Sequence, residues 1–173
     1  KAFENKHQEE QNLIRDLGLA MKNPRDLLRS IEQQQEELSS LRKQVEQLEN
    51  KLNGYLKLEL QAKAETVAGF HFNGAITSVG SGDSLKKLCN ELRSTHERAV
   101  VVLAANIGGK PSVAVGLAEP LVAEKGMDAI NIVKKYVATH IKGGGGGQKT
   151  LATAGGQEIS GMEKAILEVR SVL

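Results

Sequence analysis

Ala99-Val-Val-Val-Leu-Ala-Ala105 is the stretch of this chain from which the fold class follows most directly. It is an unbroken run of Val, Leu and Ala, as expected of a strand that is buried on both faces of a sheet. Asn106-Ile-Gly-Gly-Lys-Pro111 comes next and carries the glycines of a tight turn. Beyond the turn, Val113, Val115 and Leu117 lie at strand spacing, so we predict a β-hairpin.

Outward from this hairpin, the sequence predicts an earlier strand and a helix. Thr66–Phe72 alternates weakly and ends at the turn signal Asn73-Gly74, which indicates a strand. A helix is predicted to begin at Asp83 or Ser84, and one of its faces carries the apolar residues Leu85, Leu88, Cys89 and Leu92.

Two further helices are predicted after the hairpin. Asp128–His140 has a helical pattern, and its inward-facing residues are Ile130, Val133 and Val137. Ser160-Gly-Met-Glu163 is a capping box, and the helix that follows it directs Met162, Ile166 and Val169 to the core. Residues 65–173 are therefore predicted to form a glycine-rich α/β (α+β) domain.

Residues 1–64 are predicted to form a separate helical arm, because they contain no strand-like run and are rich in Gln, Glu, Lys and Leu. Asn23-Pro24-Arg25-Asp26 indicates the start of a long helix, with Asn23 as the cap and Pro24 in the first turn. Apolar residues spaced alternately by four and three then form one stripe, which is typical of a coiled coil. The predicted interface consists of Leu27, Ile31, Leu38, Leu41, Val45, Leu48 and Leu52.

The sequence leaves open which helix covers this stripe. An upstream helix that carries Leu13, Ile14, Leu17 and Met21 would fold back against it as an antiparallel hairpin. A parallel homodimer through the same stripe is the alternative, because the polar Gln34 could set the register of either arrangement. The arm lacks inward carboxylates or histidines at the spacing of a metal site, so we expect it to serve as a spacer.

Composition excludes several classes of protein. The formal net charge of +2 is too small to establish nucleic-acid binding by itself. Cys89 is the only cysteine, which rules out an internal disulfide and fits the reducing cytoplasm. No apolar stretch approaches the roughly 20 residues of a membrane span, so we expect a cytoplasmic protein with no membrane partner. The chain begins at Lys1 rather than Met, as expected of a fragment of a longer protein.

The most unusual feature is a glycine run flanked by lysines. Ordering consecutive glycines has a high entropic cost, which suggests that something approaches the backbone closely, and phosphate is one candidate. A P-loop is excluded because a helix rather than a strand precedes the run and no Lys-Ser/Thr follows it. The alternatives are a loop that binds RNA through main-chain amides and lysines, or a disordered linker. The predicted RNA-binding residues are Lys142, Gly143, Gly144, Gly145, Gly146, Gly147, Gln148 and Lys149.

The sequence indicates no catalytic residue and no metal site. Cys89 lies on an apolar helix face, where a structural thiol is more common than a nucleophile. The four histidines do not pair at the spacing of metal ligands. Aromatic residues make up only 3% of the chain, so contact with the backbone and shape of a folded RNA suits it better than base stacking.

The stretch from Lys142 through Gln148-Lys149-Thr-Leu-Ala-Thr-Ala-Gly-Gly156, with its terminal helix, resembles the C-terminal domain of alanyl-tRNA synthetases. The order of a helical arm, strand, helix, Val-rich strand, helix, glycine run and last helix is also similar, so the resemblance covers nearly the whole chain. The globular part is similar to DHH-associated domains of certain phosphodiesterases as well. Many family members have Arg-Pro-Asp after the glycines, whereas this chain has Gln148, Lys149 and Thr150.

The resemblance implies a non-catalytic fragment of an ATP-dependent alanine–tRNA ligase. Such a fragment would bind the outer corner of alanine-specific tRNA and tether the domains that aminoacylate and edit, with homodimerisation in some members. The fragment itself would need no cofactor, while ATP, magnesium and zinc are implied for the parent only. Two alternatives remain: a self-association module, and the C-terminal domain of a DHH-type phosphodiesterase.

Overall fold

The computed structural model describes residues 2–22 and 26–173, and the side chains of residues 7–22 and 26–173. The chain divides into two compact units, Lys1–Gln47 and Leu48–Leu173. Helix α1 spans Ala2–Ala20, and helix α2 spans Leu27–Ala62. Both lie in the segment for which a helical arm was predicted. None of the described helices is long and apolar enough to cross a lipid bilayer.

The start of α2 is described from Asp26 onward. Asn23, Pro24 and Arg25, which were expected to begin the helix, lie outside the described residues. Asp26 performs the capping role, because its Oδ1 accepts a hydrogen bond from the Arg29 amide at 3.1 Å. That amide is three residues beyond Asp26, which is the usual geometry of an acidic N-cap.

The apolar stripe of α2 is uncovered over most of its length. Leu38 and Leu41 are each 50% exposed, and Val45 and Leu48 are 56% and 65% exposed. The apolar residues of α1 are also exposed, with Leu13 at 61%. An intrachain hairpin would bury both sets, so the antiparallel hairpin is not formed by the described residues. The coiled-coil interface between chains stays a prediction.

The second unit is built on a six-stranded mixed sheet with the order β1-β2-β3-β4-β6-β5. Its strands are β1 (Glu65–Val67), β2 (Phe70–Thr77), β3 (Ala99–Ile107), β4 (Lys110–Leu117), β5 (Gly144–Gln148) and β6 (Leu151–Gly155). Strands β2 and β3 are parallel, and every other neighbouring pair is antiparallel. The hairpin predicted from the Val-rich run is confirmed as β3–β4.

Strand β3 lies in the middle of two hydrophobic cores. Val100, Val102 and Ala104 face one core, while Val101, Leu103 and Ala105 face the other. All six side chains are at most 1% exposed. Because successive side chains point to opposite faces of a strand, this double burial explains the absence of polar residues in the run.

Helices cover both faces of the sheet. Helix α3 (Gly82–Arg93) covers one face, with Leu85, Leu88, Cys89 and Leu92 buried as predicted. The other face is covered by α4 (Glu119–Lys125), α5 (Ala129–Ile132), a π-helix (Val133–Val137) and α6 (Gly161–Ser171). The predicted helix 128–140 is therefore α5 continued by the π-helix. Of its predicted inward residues, Val133 and Val137 are buried and Ile130 is partly buried.

Two local predictions were wrong. Asn73-Gly74 does not form a turn but lies inside β2, and the turn is at Ala68-Gly69, where both residues have positive φ. Gly74 is needed for packing, because a Cβ there would lie 2.6 Å from Ile166 Cγ2 and 2.7 Å from Phe72 Cε1. The capping box also fails, since the Ser160 hydroxyl donates to Glu158 Oε1 at 2.5 Å instead of accepting from the helix.

The end of α2 belongs to the globular unit. Leu60 is 4% exposed and packs in the same core as α3, and Leu56 packs against that core. Buried Asn73 donates to the Leu60 carbonyl at 2.7 Å, and buried Asn53 donates to the Ser84 carbonyl at 3.1 Å. The compact unit thus begins at Leu48, inside the helix, rather than at residue 65.

Candidate nucleic-acid interface

The glycine run forms an edge strand of the sheet. Among the described strands β5 pairs with β6 alone, in a register that places Gly144 opposite Gly155 and Gln148 opposite Leu151. The predicted loop with a nest of amides is therefore wrong, and so is the disordered linker. Glycine has a low propensity for strands, so the sequence did not indicate a strand here. The pairing with β6 overrides that preference.

Alternate glycines of the run are required by the fold. A Cβ at Gly143 would collide with the Gly155 carbonyl oxygen, and one at Gly145 would collide with the Thr153 carbonyl oxygen. A Cβ at Gly147 would lie 2.5 Å from the Leu151 carbonyl oxygen. Each of these atoms is backbone and cannot rotate away. Side chains at these positions would push β5 away from β6.

The intervening glycines have no such role. A Cβ at Gly144 or Gly146 would meet no atom within 4 Å, and neither residue has a positive φ. Both are exposed. Their lack of a side chain therefore serves neither packing nor backbone conformation, and it leaves a strip of bare main chain at the sheet edge. We call this strip the glycine edge, meaning the outer side of residues 144–148.

The predicted lysines stand at the two ends of the glycine edge. Lys142 precedes β5 with a φ of 49°, and its Nζ donates to Glu158 Oε2 at 3.4 Å. The pKa of Glu158 is lowered, chiefly by its hydrogen bond from Ser160 and then by Lys142. Lys149 follows β5, and its carbonyl accepts from the Ala129 amide at 2.8 Å. Gln148 and both lysine side chains are exposed, so they can reach an external anion.

A cleft next to the glycine edge was missed by the sequence reasoning. It has a volume of about 400 Å³, and Lys142 and Gly143 form part of its wall. Lys110 and Ser112, at the start of β4, and Gly155 and Gly156, at the end of β6, also line it. The sequence signals that Lys110 follows a turn, but only the strand order β4-β6-β5 brings it to the side of Lys142.

The cysteine and three of the histidines contact other parts of the fold. Burial raises the pKa of the Cys89 thiol to about 12, although Arg93 acts in the opposite direction. The His71 and His96 rings are stacked with centroids 4.7 Å apart, and His140 contacts Glu168 on α6. Throughout the part of the chain that the structure describes, no three His, Cys, Asp or Glu side chains come together as a metal site.

A comparison with protein families identifies the family to which the globular part of the chain belongs. The model of the DHHA1 domain matches residues 65–173, which include the whole sheet and the glycine edge. The chain belongs to the DHHA1 family. The resemblance of its globular part to DHH-associated domains is thereby confirmed.

Relatives of this DHHA1 protein extend the likeness to the arm. It is 33% identical to the alanine–tRNA ligase of Cytophaga hutchinsonii over 165 residues, which is 95% of this chain and 19% of that protein. The alanine–tRNA ligase of Acetivibrio thermocellus is 34% identical over 167 residues, again 95% of this chain and 19% of the relative. The chain thus spans about a fifth of the length of these relatives.

A solved structure supports the fold of the DHHA1 protein. The C-Ala domain of Aquifex aeolicus alanyl-tRNA synthetase is similar with a TM-score of 0.58 and 24% identity. The match covers 64% of this chain and 96% of that chain. The predicted α/β class of the globular domain is confirmed by this likeness and by the sheet itself, and the long helix α2 precedes the domain in the segment predicted as a helical hairpin or coiled-coil arm.

Proposed function

We propose that this protein is a tRNA-binding and domain-tethering region of an alanine–tRNA ligase. The observation that carries the proposal is the glycine edge, where main chain without side chains lies between two exposed lysines. Phosphate and sugar groups of RNA are recognised by such lysines and by main-chain amides, and this recognition needs no base-specific side chain. The relatives include alanine–tRNA ligases, so we propose tRNA as the partner rather than another folded RNA.

The catalytic work of aminoacylation and editing would belong to other parts of the parent ligase. ATP, magnesium and zinc would act there as well. The region described here would hold the outer corner of alanine-specific tRNA, in the cytoplasm where translation takes place.

The test is tRNA binding as a function of salt. Filter binding with alanine-specific tRNA would compare the unchanged protein with the double variant Lys142→Ala/Lys149→Ala. Loss of two phosphate contacts should lower the slope of log affinity against log salt by roughly two units and weaken binding.

A matched control removes the same charge elsewhere. Arg98 and Lys125 lie over the Phe70 ring, at 5.7 Å and 4.7 Å from its centroid, next to the opposite edge of the sheet. The variant Arg98→Ala/Lys125→Ala should keep the original slope. Equal losses in both double variants would show a general effect of charge and contradict the assignment to the glycine edge.

Self-association is a second candidate, supported by the exposed stripe of α2. Leu38, Leu41, Val45 and Leu48 are all at least 50% exposed, which is unusual for a heptad stripe without a partner. Sedimentation at several concentrations should reveal a dimer, and Leu41→Glu/Val45→Glu should abolish it. A monomer at every concentration would remove this candidate and leave tRNA binding untouched.

A further inference from the structure

The cleft beside the glycine edge lies at a junction of strand ends. Strand β3 ends there, β4 begins, β6 ends and β5 begins, and Gly82 at the start of α3 completes the wall. Crevices at the carboxyl ends of strands, close to a helix N-terminus, are frequent ligand sites in open α/β sheets. With about 400 Å³, this cleft is within the usual size range of small-molecule sites.

The charge of the cleft is positive. Lys110 and Lys142 are its only ionisable lining residues among those described. Lys142 forms a salt bridge with Glu158, whereas Lys110 forms no salt bridge within the described chain. Lys110 is also held in place, because it pairs with Ile107 across a tight turn in which Gly108 and Gly109 have φ values of 59° and 81°. The cleft therefore has one cation, Lys110, that has a fixed backbone position and no salt bridge among the described residues.

The walls of the cleft expose main chain in the same way as the glycine edge. A Cβ at Gly82 or Gly155 would meet no atom within 4 Å, and neither has a positive φ. Nothing in the fold requires glycine at either position. Ser112 adds a hydroxyl donor to the wall. An ammonium group and a hydroxyl suit the oxygens of a phosphate, and the absence of side chains on these glycines leaves room for it to approach.

We propose that this cleft binds a phosphate of the RNA backbone, with Lys110 as its principal cation. The proposal rests on the tRNA-binding function and extends it beyond the glycine run to the β3–β4 turn. RNA lying along the glycine edge would place one phosphate in the cleft, where Lys142 borders both surfaces. A carboxylate of a protein partner is the competing occupant.

Two variants test the cleft by different means. Lys110→Ala removes the cation, and it should lower the salt slope of tRNA affinity by about one unit. Gly155→Val fills the cleft without changing charge, and it should weaken tRNA binding several-fold while the melting temperature is kept. Lys125→Ala is the control for a lost surface charge and should bind as the unchanged protein does.

The outcomes separate this proposal from the proposed function. If Lys142→Ala/Lys149→Ala weakens tRNA binding while Lys110→Ala and Gly155→Val do not, the cleft assignment is overturned and tRNA binding stands. If the unchanged protein binds no tRNA, the proposed function fails, and the cleft is tested by NMR titration with 5′-AMP and adenosine. Amide shifts at Lys110 and Gly155 with 5′-AMP alone would support a phosphate site, and equal or absent shifts would overturn it.

Discussion

At the scale of single residues, Cys89 shows how burial decides chemistry. Its thiol lies between α3 and the sheet, with Sγ 4.0 Å from the Val101 carbonyl oxygen, and it is fully buried. The sequence already assigned it to an apolar helix face. Burial also raises the pKa of this thiol, because a group without contact with solvent resists ionisation.

We expect this thiol to make the protein less stable in alkali. The folded state keeps the proton up to a pKa of about 12, whereas the unfolded thiol loses it near the ordinary value of 9.0. Between these values the folded state binds more protons, so the free energy of unfolding falls as pH rises. Urea unfolding at pH 8 and pH 10.5 should show this loss, and Cys89→Ala should lose less over the same interval. Parallel losses in both proteins would contradict the argument.

Residue identities alone could not reveal where a glycine is needed. Gly74 and Gly116 lie inside strands, and glycine is needed there because Ile166 and Cys89 pack closely against them. A Cβ at Gly116 would be 2.9 Å from Cys89 Sγ. Such close approaches join residues far apart in the chain. The sequence offers only the glycine, and a turn is the more common reason for one.

At the scale of elements, β5 is the clearest difference between expectation and structure. The sequence identified the run and its flanking lysines, but not its conformation, because polyglycine carries no side-chain pattern from which a strand could be recognised. The Val-rich strand and the apolar helix faces were predicted correctly, since their periodicity reports burial directly. The π-helix was missed because its hydrogen bonds join residues five apart instead of four, and a difference of one residue does not show in the apolar pattern.

The two kinds of glycine in β5 should respond differently to alanine. Gly145→Ala places a methyl group against the Thr153 carbonyl and should cost about 1–3 kcal/mol through separation of β5 from β6. Gly146→Ala enters open space and should be neutral or stabilising by about 0.4–1 kcal/mol, because alanine loses less entropy on folding. Urea denaturation distinguishes them.

The effect of Gly146→Ala on tRNA affinity should be separate from its effect on stability. Gly146→Ala keeps the strand but puts a methyl group on the glycine edge, so it should weaken tRNA binding at unchanged stability. A stable Gly146→Ala protein with full affinity would show that RNA does not approach the bare main chain there.

At the scale of the whole molecule, the domain boundary differs between sequence and structure. Composition changes near residue 65, where the strands begin, and the DHHA1 match also starts there. The compact unit nevertheless starts at Leu48, because the last turns of α2 supply Leu60 and two buried hydrogen bonds to the core. Those contacts join distant parts of the chain, and composition cannot show them.

Truncation measures the contribution of this helix end. Residues 48–173 should unfold at nearly the same urea concentration as the full chain. Residues 65–173 should be less stable by about 3–5 kcal/mol, from loss of one buried leucine and two buried hydrogen bonds. Thermal and urea unfolding of both fragments provide the measurement. Equal stability of the two fragments would place the boundary at residue 65 after all.

Strand β5 has a neighbour on one side only and carries no side chain between Gly144 and Gly147. Few contacts hold it in the sheet, so it should detach locally at a much lower free energy than the strands in the middle. Deuterium should enter its amides well before those of β3. A polynucleotide could then meet these amides without any unfolding of the cores, and its arrival would appear as slower isotope exchange confined to this one strand.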